Sequence, residues 1–206
     1  GIDLAHGAGN IQPNLHDSNV DFAAWCTYKY LNSGPGSLAG LFVHEKHAKN
    51  KDLPRFAGWW NHNKATRFNM RQPFDVMKGA EGWQLSNPPI LSMAAIKASL
   101  DLFDEVGMDA LREKSLKLTG YFEFLINEID SEEITIITPS NPKERGCQIS
   151  IQVKNSDKNL HKKLTAQNVI TDWREPDVIR CAPVPFYTSF EAVYRMVSIL
   201  KELLKK

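Results

Sequence analysis

The chain has 206 residues, 42% hydrophobic and 24% charged, a balance typical of ordinary globular proteins that argues against disorder and fibrous repeats. A chain of this length can bury roughly 70% of the surface its unfolded form exposes, enough for one large domain or two small ones. Its 25 Lys and Arg stand against 24 Asp and Glu and are spread along the chain, so charge gives no footprint for a nucleic-acid partner.

From the N-terminus, the apolar, β-favouring runs at 20–27 and 39–44 predict two buried strands. Between them, Tyr28 and Lys29 lead into Asn32, Ser33, Gly34, Pro35 and Gly36, where the backbone must turn. Lys29 is thereby expected just past a strand end. From 58 to 89 the sequence is rich in Trp, Asn, Gly and Pro without periodicity and predicts a long irregular segment, a kind that is usually functional or packed on a partner.

Beyond Pro89, Met93, Ile96, Leu100, Phe103 and Val106 recur at helical spacing, with Gly107 as a stop. A second helix is expected over 108–129. Strands follow at 134–138 and 148–153, a helix at 157–167, strands at 169–173 and 179–183, and a closing helix at 189–204. This β-β-α-β-β-α order predicts a compact α/β layer domain. The basic run Lys201, Lys205 and Lys206 suits the negative end of that last helix.

Cys26, Cys147 and Cys181 are odd in number and widely spaced, so neither a disulfide framework nor a zinc site is expected, and a reducing, cytoplasmic setting fits best. His44-Glu45-Lys46-His47 lacks the H-E-x-x-H spacing, and no metal is expected there. No apolar stretch reaches 18 residues and no leader-like pattern follows Gly1, so no membrane partner is expected.

Several blocks share one resemblance. They are Asp3-Leu4-Ala5-His6, Trp25 to Asn32 with Gly34 and Gly36, Gly58-Trp59-Trp60, Ser86-Asn87-Pro88-Pro89, and Ile179-Arg180-Cys181-Ala182-Pro183-Val184-Pro185. Together they resemble kynureninase, a pyridoxal-phosphate (PLP) enzyme family, across nearly the whole chain. Members of that family are longer, and the resemblance lies in their C-terminal half, so the chain is expected to be a fragment. The implied fold is α/β. Residues 1–92 would be a remnant of the PLP-binding large domain, with a mostly parallel sheet, and 93–206 a small α/β C-terminal domain with a long linking helix.

The resemblance also implies roles. Lys29 would form the Schiff base with PLP; its plain alternative is one surface lysine among many. Asp3 would keep the pyridine nitrogen protonated, as an acidic partner does by favouring the positive form, with His6 beside it at the cofactor. Without the motif, Asp3 is a turn or cap residue and His6 a core histidine. Tyr28 would meet the cofactor phosphate and donate a proton to substrate, or else simply pack beside the strand.

Trp59 and Asn87 would approach the cofactor phosphate or substrate from the neighbouring subunit of a homodimer, and Trp60 would line the substrate pocket; core packing is the alternative for both tryptophans. Arg180 would grip the amino-acid α-carboxylate bidentately, or else pair with Asp177 or Glu175. The implied reaction is hydrolysis of L-kynurenine or its 3-hydroxy derivative to anthranilate or 3-hydroxyanthranilate plus L-alanine. The alternatives are another PLP enzyme of the same fold, such as a cysteine desulfurase or aminotransferase, or a fragment that only folds or dimerises. The implied partners are an amino-acid substrate and either a second copy or the missing N-terminal half.

Overall fold

The computed structural model describes residues 1–69 and 73–205, which form two compact units, Gly1–Glu105 and Val106–Lys206. Lys206 lies outside the described residues. No helix among the described residues is long and apolar enough to cross a membrane.

Three strands organise the first unit. β1 (Ile2–Asp3) pairs parallel with β2 (Phe22–Cys26), and β2 pairs antiparallel with β3 (Ala39–Val43). A mostly parallel sheet was expected; this three-stranded sheet holds one parallel and one antiparallel pair. The physical reason is the connection 27–38, which contains no helix to carry a crossover, so β3 must return alongside β2 in the opposite sense. The predicted strands 20–27 and 39–44 appear as β2 and β3, while β1 was too short to be read from pattern.

Among its described residues, segment 58–89 has no long element, yet these are tied together from within. Asn61, fully buried, accepts a hydrogen bond from Gly58 N (2.8 Å) and donates to Phe56 O (2.8 Å) and Gly82 O (3.2 Å). One side chain thus joins three backbone points. Short 3-10 turns at Arg67–Asn69 and Gly79–Trp83 and a bridge between His62 and Val76 complete the segment.

The helix α1 (Ile90–Val106) closes this unit, its Ser99 Oγ donating to Leu31 O. The first compact unit thus takes in all of α1 but its last residue, Val106. Of the apolar stripe expected on α1, only Phe103 is buried; Met93, Leu100 and Val106 stay exposed.

Gly107 (φ 81°) separates α1 from α2 (Met108–Asn127). That positive φ suits glycine, the residue without a Cβ to clash. In the second unit α2 buries Leu111, Leu118, Phe122 and Ile126 along one stripe, as a 3.6-residue period requires. Four strands, β4 (Ile134–Ile136), β5 (Ile149–Val153), β6 (Asp172–Arg174) and β7 (Val178–Cys181), form an antiparallel sheet in the order β4-β5-β7-β6. Two helices, α3 (Lys158–Ala166) and α4 (Phe190–Leu204), begin at caps: Asp157 accepts from Asn159 N (2.8 Å) and Ser189 from Ala192 N (3.0 Å).

The sheet has two unlike faces. Ile149, Ile151, Val153, Ile179, Cys181 and Trp173 point into a core with Leu118, Phe122 and Leu200, while Ser150, Gln152, Arg180 and Asp172 alternate onto the other face. The strand predicted at 169–173 begins instead at Asp172. Val169 N still bonds back to Leu164 O (3.1 Å) and Asn168 turns with φ 61°, so these residues complete the exit from α3.

Candidate functional site

In the first unit, β1 and β2 run parallel, with Asp3 opposite Ala24, so Asp3 closes β1 at the end where β2 delivers Lys29. Carboxyl ends of parallel strands are where ligands gather in open α/β sheets. The turn that follows β2 is fixed by buried hydroxyls. Thr27 Oγ1 donates to Leu38 O (2.5 Å), Ser33 Oγ donates to Thr27 Oγ1 (2.8 Å), and Ser33 N reaches Thr27 O (3.1 Å). Asn32 N closes the inner turn on Lys29 O (2.9 Å).

Lys29 is half-buried, and its amine makes no hydrogen bond or ion pair among the described residues. Asp3 is exposed and accepts from Ala5 N through Oδ1 (2.7 Å), while Oδ2 takes no hydrogen bond among those residues. Segment 4–9 wraps against the Lys29 turn. Leu4 N donates to Ala24 O (2.9 Å), Cys26 Sγ to Ala5 O (3.7 Å), and the His6 ring meets Tyr30 edge-on at 5.9 Å. At Gly9, with φ 77°, a Cβ would stand 2.8 Å from the Tyr30 carbonyl, so this approach requires glycine.

Tyr28 is half-exposed, its hydroxyl held above the ordinary phenol pKa by a hydrogen bond with Cys26, by the charge of that group, and by desolvation. An amine and a carboxylate oxygen without partners among the described residues, together with a phenol, thus lie towards the carboxyl end of the β1–β2 pair. That donor set fits PLP, which asks for an amine for its aldehyde and an acid for its ring nitrogen.

The aromatic residues of 58–89 form a separate cluster. Trp60 N donates to Leu85 O (3.2 Å), and its ring lies under the Arg67 guanidinium at 4.7 Å. Arg67 also donates to Trp60 O and His62 O, both at 3.3 Å. The Trp59 ring, half-exposed, tilts against Phe68 at 5.6 Å. Asn87 is exposed and accepts from Ser86 Oγ (3.2 Å). No hydrogen bond, ion pair or ring contact among the described residues joins Trp59, Trp60 or Asn87 to Lys29 or Asp3.

In the second unit, Arg180 sits on the polar face of β7, directly across the ladder from Asp172 on the edge strand β6. Its Nε donates to Asp172 Oδ2 (2.7 Å), and its Nη2 donates to the same oxygen. The alternative to a substrate-anchoring role was a pairing of Arg180 with Asp177 or Glu175. Asp177 is instead engaged by Gln152 Nε2 (3.0 Å), and the cross-strand register selects Asp172. Asp172, Asn61 and the Thr27–Ser33 pair were all missed from sequence. The first follows only from register, and the other two follow only from burial.

Comparison with known proteins finds the same resemblance. Residues 111–200 match the family model described as the kynureninase C-terminal domain. A kynureninase of Myxococcus xanthus is 56% identical over 201 residues, covering 98% of this chain and 47% of that protein. A kynureninase of Flavobacterium johnsoniae is 57% identical over 205 residues, covering 98% and 48%.

Among solved structures, a cysteine desulfurase from Thermococcus onnurineus superposes with TM-score 0.78 at 17% identity, over 98% of this chain and 52% of that one. An alanine–glyoxylate aminotransferase from Nostoc gives 0.70 at 18%, over 98% and 53%. A C-DES mutant with glycine covalently linked to its PLP cofactor gives 0.75 at 16%, over 95% and 49%. At such identities the likeness is one of fold. In sequence the chain is similar to the C-terminal region of kynureninases and spans about half the length of the curated relatives it matches.

Proposed function

We propose that this chain, similar to kynureninases over nearly all its length, supplies the cofactor-anchoring lysine and the substrate-anchoring arginine of a PLP-dependent hydrolase that splits L-kynurenine or 3-hydroxykynurenine into L-alanine and the matching anthranilate. What supports the reading most is the parallel β1–β2 pair, which sets Asp3 and Lys29 towards one sheet end of a chain 56% identical to a kynureninase over 201 residues.

PLP, when bound, supplies an electron sink for charge developing at the substrate α-carbon. Lys29 anchors the cofactor and, as a free amine, takes the substrate α-proton. Asp3 holds the proton on the cofactor ring nitrogen, with His6 at its side. Tyr28 meets the phosphate and returns a proton to substrate. Arg180 fixes the α-carboxylate through paired hydrogen bonds. In a homodimer, Trp59 and Asn87 serve the neighbour's cofactor or substrate, and Trp60 lines the substrate pocket. Residues 1–92 form part of the PLP-binding domain, whose larger sheet extends β1–β3, and 93–206 form the small domain.

The test mixes PLP with this chain, alone and within a protein of full kynureninase length, then applies borohydride and peptide mapping. Label on Lys29 in the longer protein, with L-alanine released from kynurenine and both lost in Lys29→Ala, is the expected result. Label elsewhere, or release of sulfide from cysteine instead of alanine from kynurenine, overturns the assignment.

A further inference from the structure

Arg180 does not stand free on its sheet face. Asp172 lies opposite it in the β6–β7 register and takes both Nε and Nη2 on the single oxygen Oδ2. Arg174 Nη2 approaches that same oxygen at 3.1 Å. Arg180 is three-quarters covered, with 25% of its side chain exposed, while Asp172 and Arg174 are more open at 45% and 57%.

The geometry has a directional result. A guanidinium presents five N–H donors in a planar fork. Asp172 holds the Nε side, and Nη1 makes no hydrogen bond among the described residues, so the outer Nη1–Nη2 edge is turned away from the carboxylate that grips the other side. Two paired donors on that edge match one carboxylate. The charges agree: two arginines against one aspartate leave this patch one positive charge in surplus, which one further carboxylate neutralises.

We infer that Asp172 is a positioning residue for Arg180, clamping its Nε side so that the Nη1–Nη2 edge is preset for the substrate α-carboxylate. The inference rests on the proposed role of Arg180 as carboxylate anchor. Asp172 touches neither cofactor nor substrate. It acts by removing the rotamer freedom that a long arginine side chain otherwise loses on binding.

The test uses the PLP-loaded protein of full kynureninase length and compares turnover of L-kynurenine with that of its α-carboxamide, which lacks the anionic group. Asp172→Asn is expected to raise KM for kynurenine about tenfold with a smaller change in kcat, the pattern of lost uniform binding. It should leave the carboxamide constants unchanged, so discrimination between the two falls. Asp172→Glu, which keeps the charge, should restore part of the discrimination, and it serves alone should the Asn variant fail to fold: it must then shift the kynurenine KM without moving the carboxamide KM.

Equal losses for both substrates would overturn the inference, since a merely structural role moves both together. Arg180→Ala separates the two ideas. If it abolishes discrimination while the Asp172 variants do not, only the positioning role fails; if it too leaves discrimination intact, the anchor assignment itself falls.

Discussion

Ser33 Oγ donates to Thr27 Oγ1 across the turn that carries Lys29, at 2.8 Å and with both residues nearly sealed from solvent. Thr27 Oγ1 in turn donates to Leu38 O, so the two hydroxyls form a hydrogen-bonded chain that fastens both ends of the turn. Thr27→Val keeps the shape and removes that chain of bonds, leaving Leu38 O and Ser33 Oγ without partners. A loss of about 1–3 kcal/mol is expected in urea unfolding, together with weaker borohydride-trapped PLP at Lys29. Unchanged labelling would show that the turn holds its lysine by packing alone.

Asn61 offers a sharper comparison because it accepts once and donates twice. Asn61→Asp preserves the acceptor for Gly58 N but sets carboxylate oxygens against Phe56 O and Gly82 O. It should destabilise at least as much as Asn61→Ala, by about 2–4 kcal/mol. Limited proteolysis within 56–87 and the fluorescence of Trp59 and Trp60 would report it.

Glu123 pairs with Arg145 at 2.7 Å, and the arginine side chain is only 3% exposed. Glu123→Gln strands that charge in the interior, with one further bond to Pro139 O. Loss of a partner from a buried pair costs about 3–5 kcal/mol, readable as a lowered denaturation midpoint. Arg145→Met in the same background should recover part of it.

Burial pushes the Cys181 thiol up to about 12, from an ordinary value of 9.0. The unfolded chain therefore releases this proton first as pH rises. The stability contributed by the neutral thiol is fully present below about pH 9 and is withdrawn as pH climbs towards 12, with a slope of at most about 1.4 kcal/mol per pH unit. Cys181→Ala should flatten that alkaline decline relative to the parent, measured by chemical unfolding at several pH values. At pH 8, Cys26 should react with a thiol reagent well before Cys147 and Cys181, which are buried.

How much of this was legible in the sequence depended on range. The tail order of strands and helices could be read from apolar runs such as 148–153 and from the apolar content of 108–129, although the stripe of Leu111, Leu118, Phe122 and Ile126 that α2 buries was not picked out, because Leu116, Tyr121 and Leu125 blur its phase. Both are local signals. The Arg180–Asp172 pairing depends on which strand lies at the edge and in what register, and no residue near Arg180 announces it. Asn61 looks like any loop asparagine until its surroundings close over it. The antiparallel return of β3 was masked by expecting a domain-scale parallel sheet, although the short, helix-free connection 27–38 carried the signal.

The hydrogen bond from Ser99 to Leu31 gives α1 a mechanical meaning. The helix spans 17 residues, lays much of its apolar stripe open, and is pinned near its middle to the backbone two residues beyond Lys29. That bond ties the exit of the lysine turn to a helix whose apolar face is otherwise largely uncovered. Removing it, as Ser99→Ala would, strips Leu31 O of that partner and unties the backbone just past Lys29 from the helix.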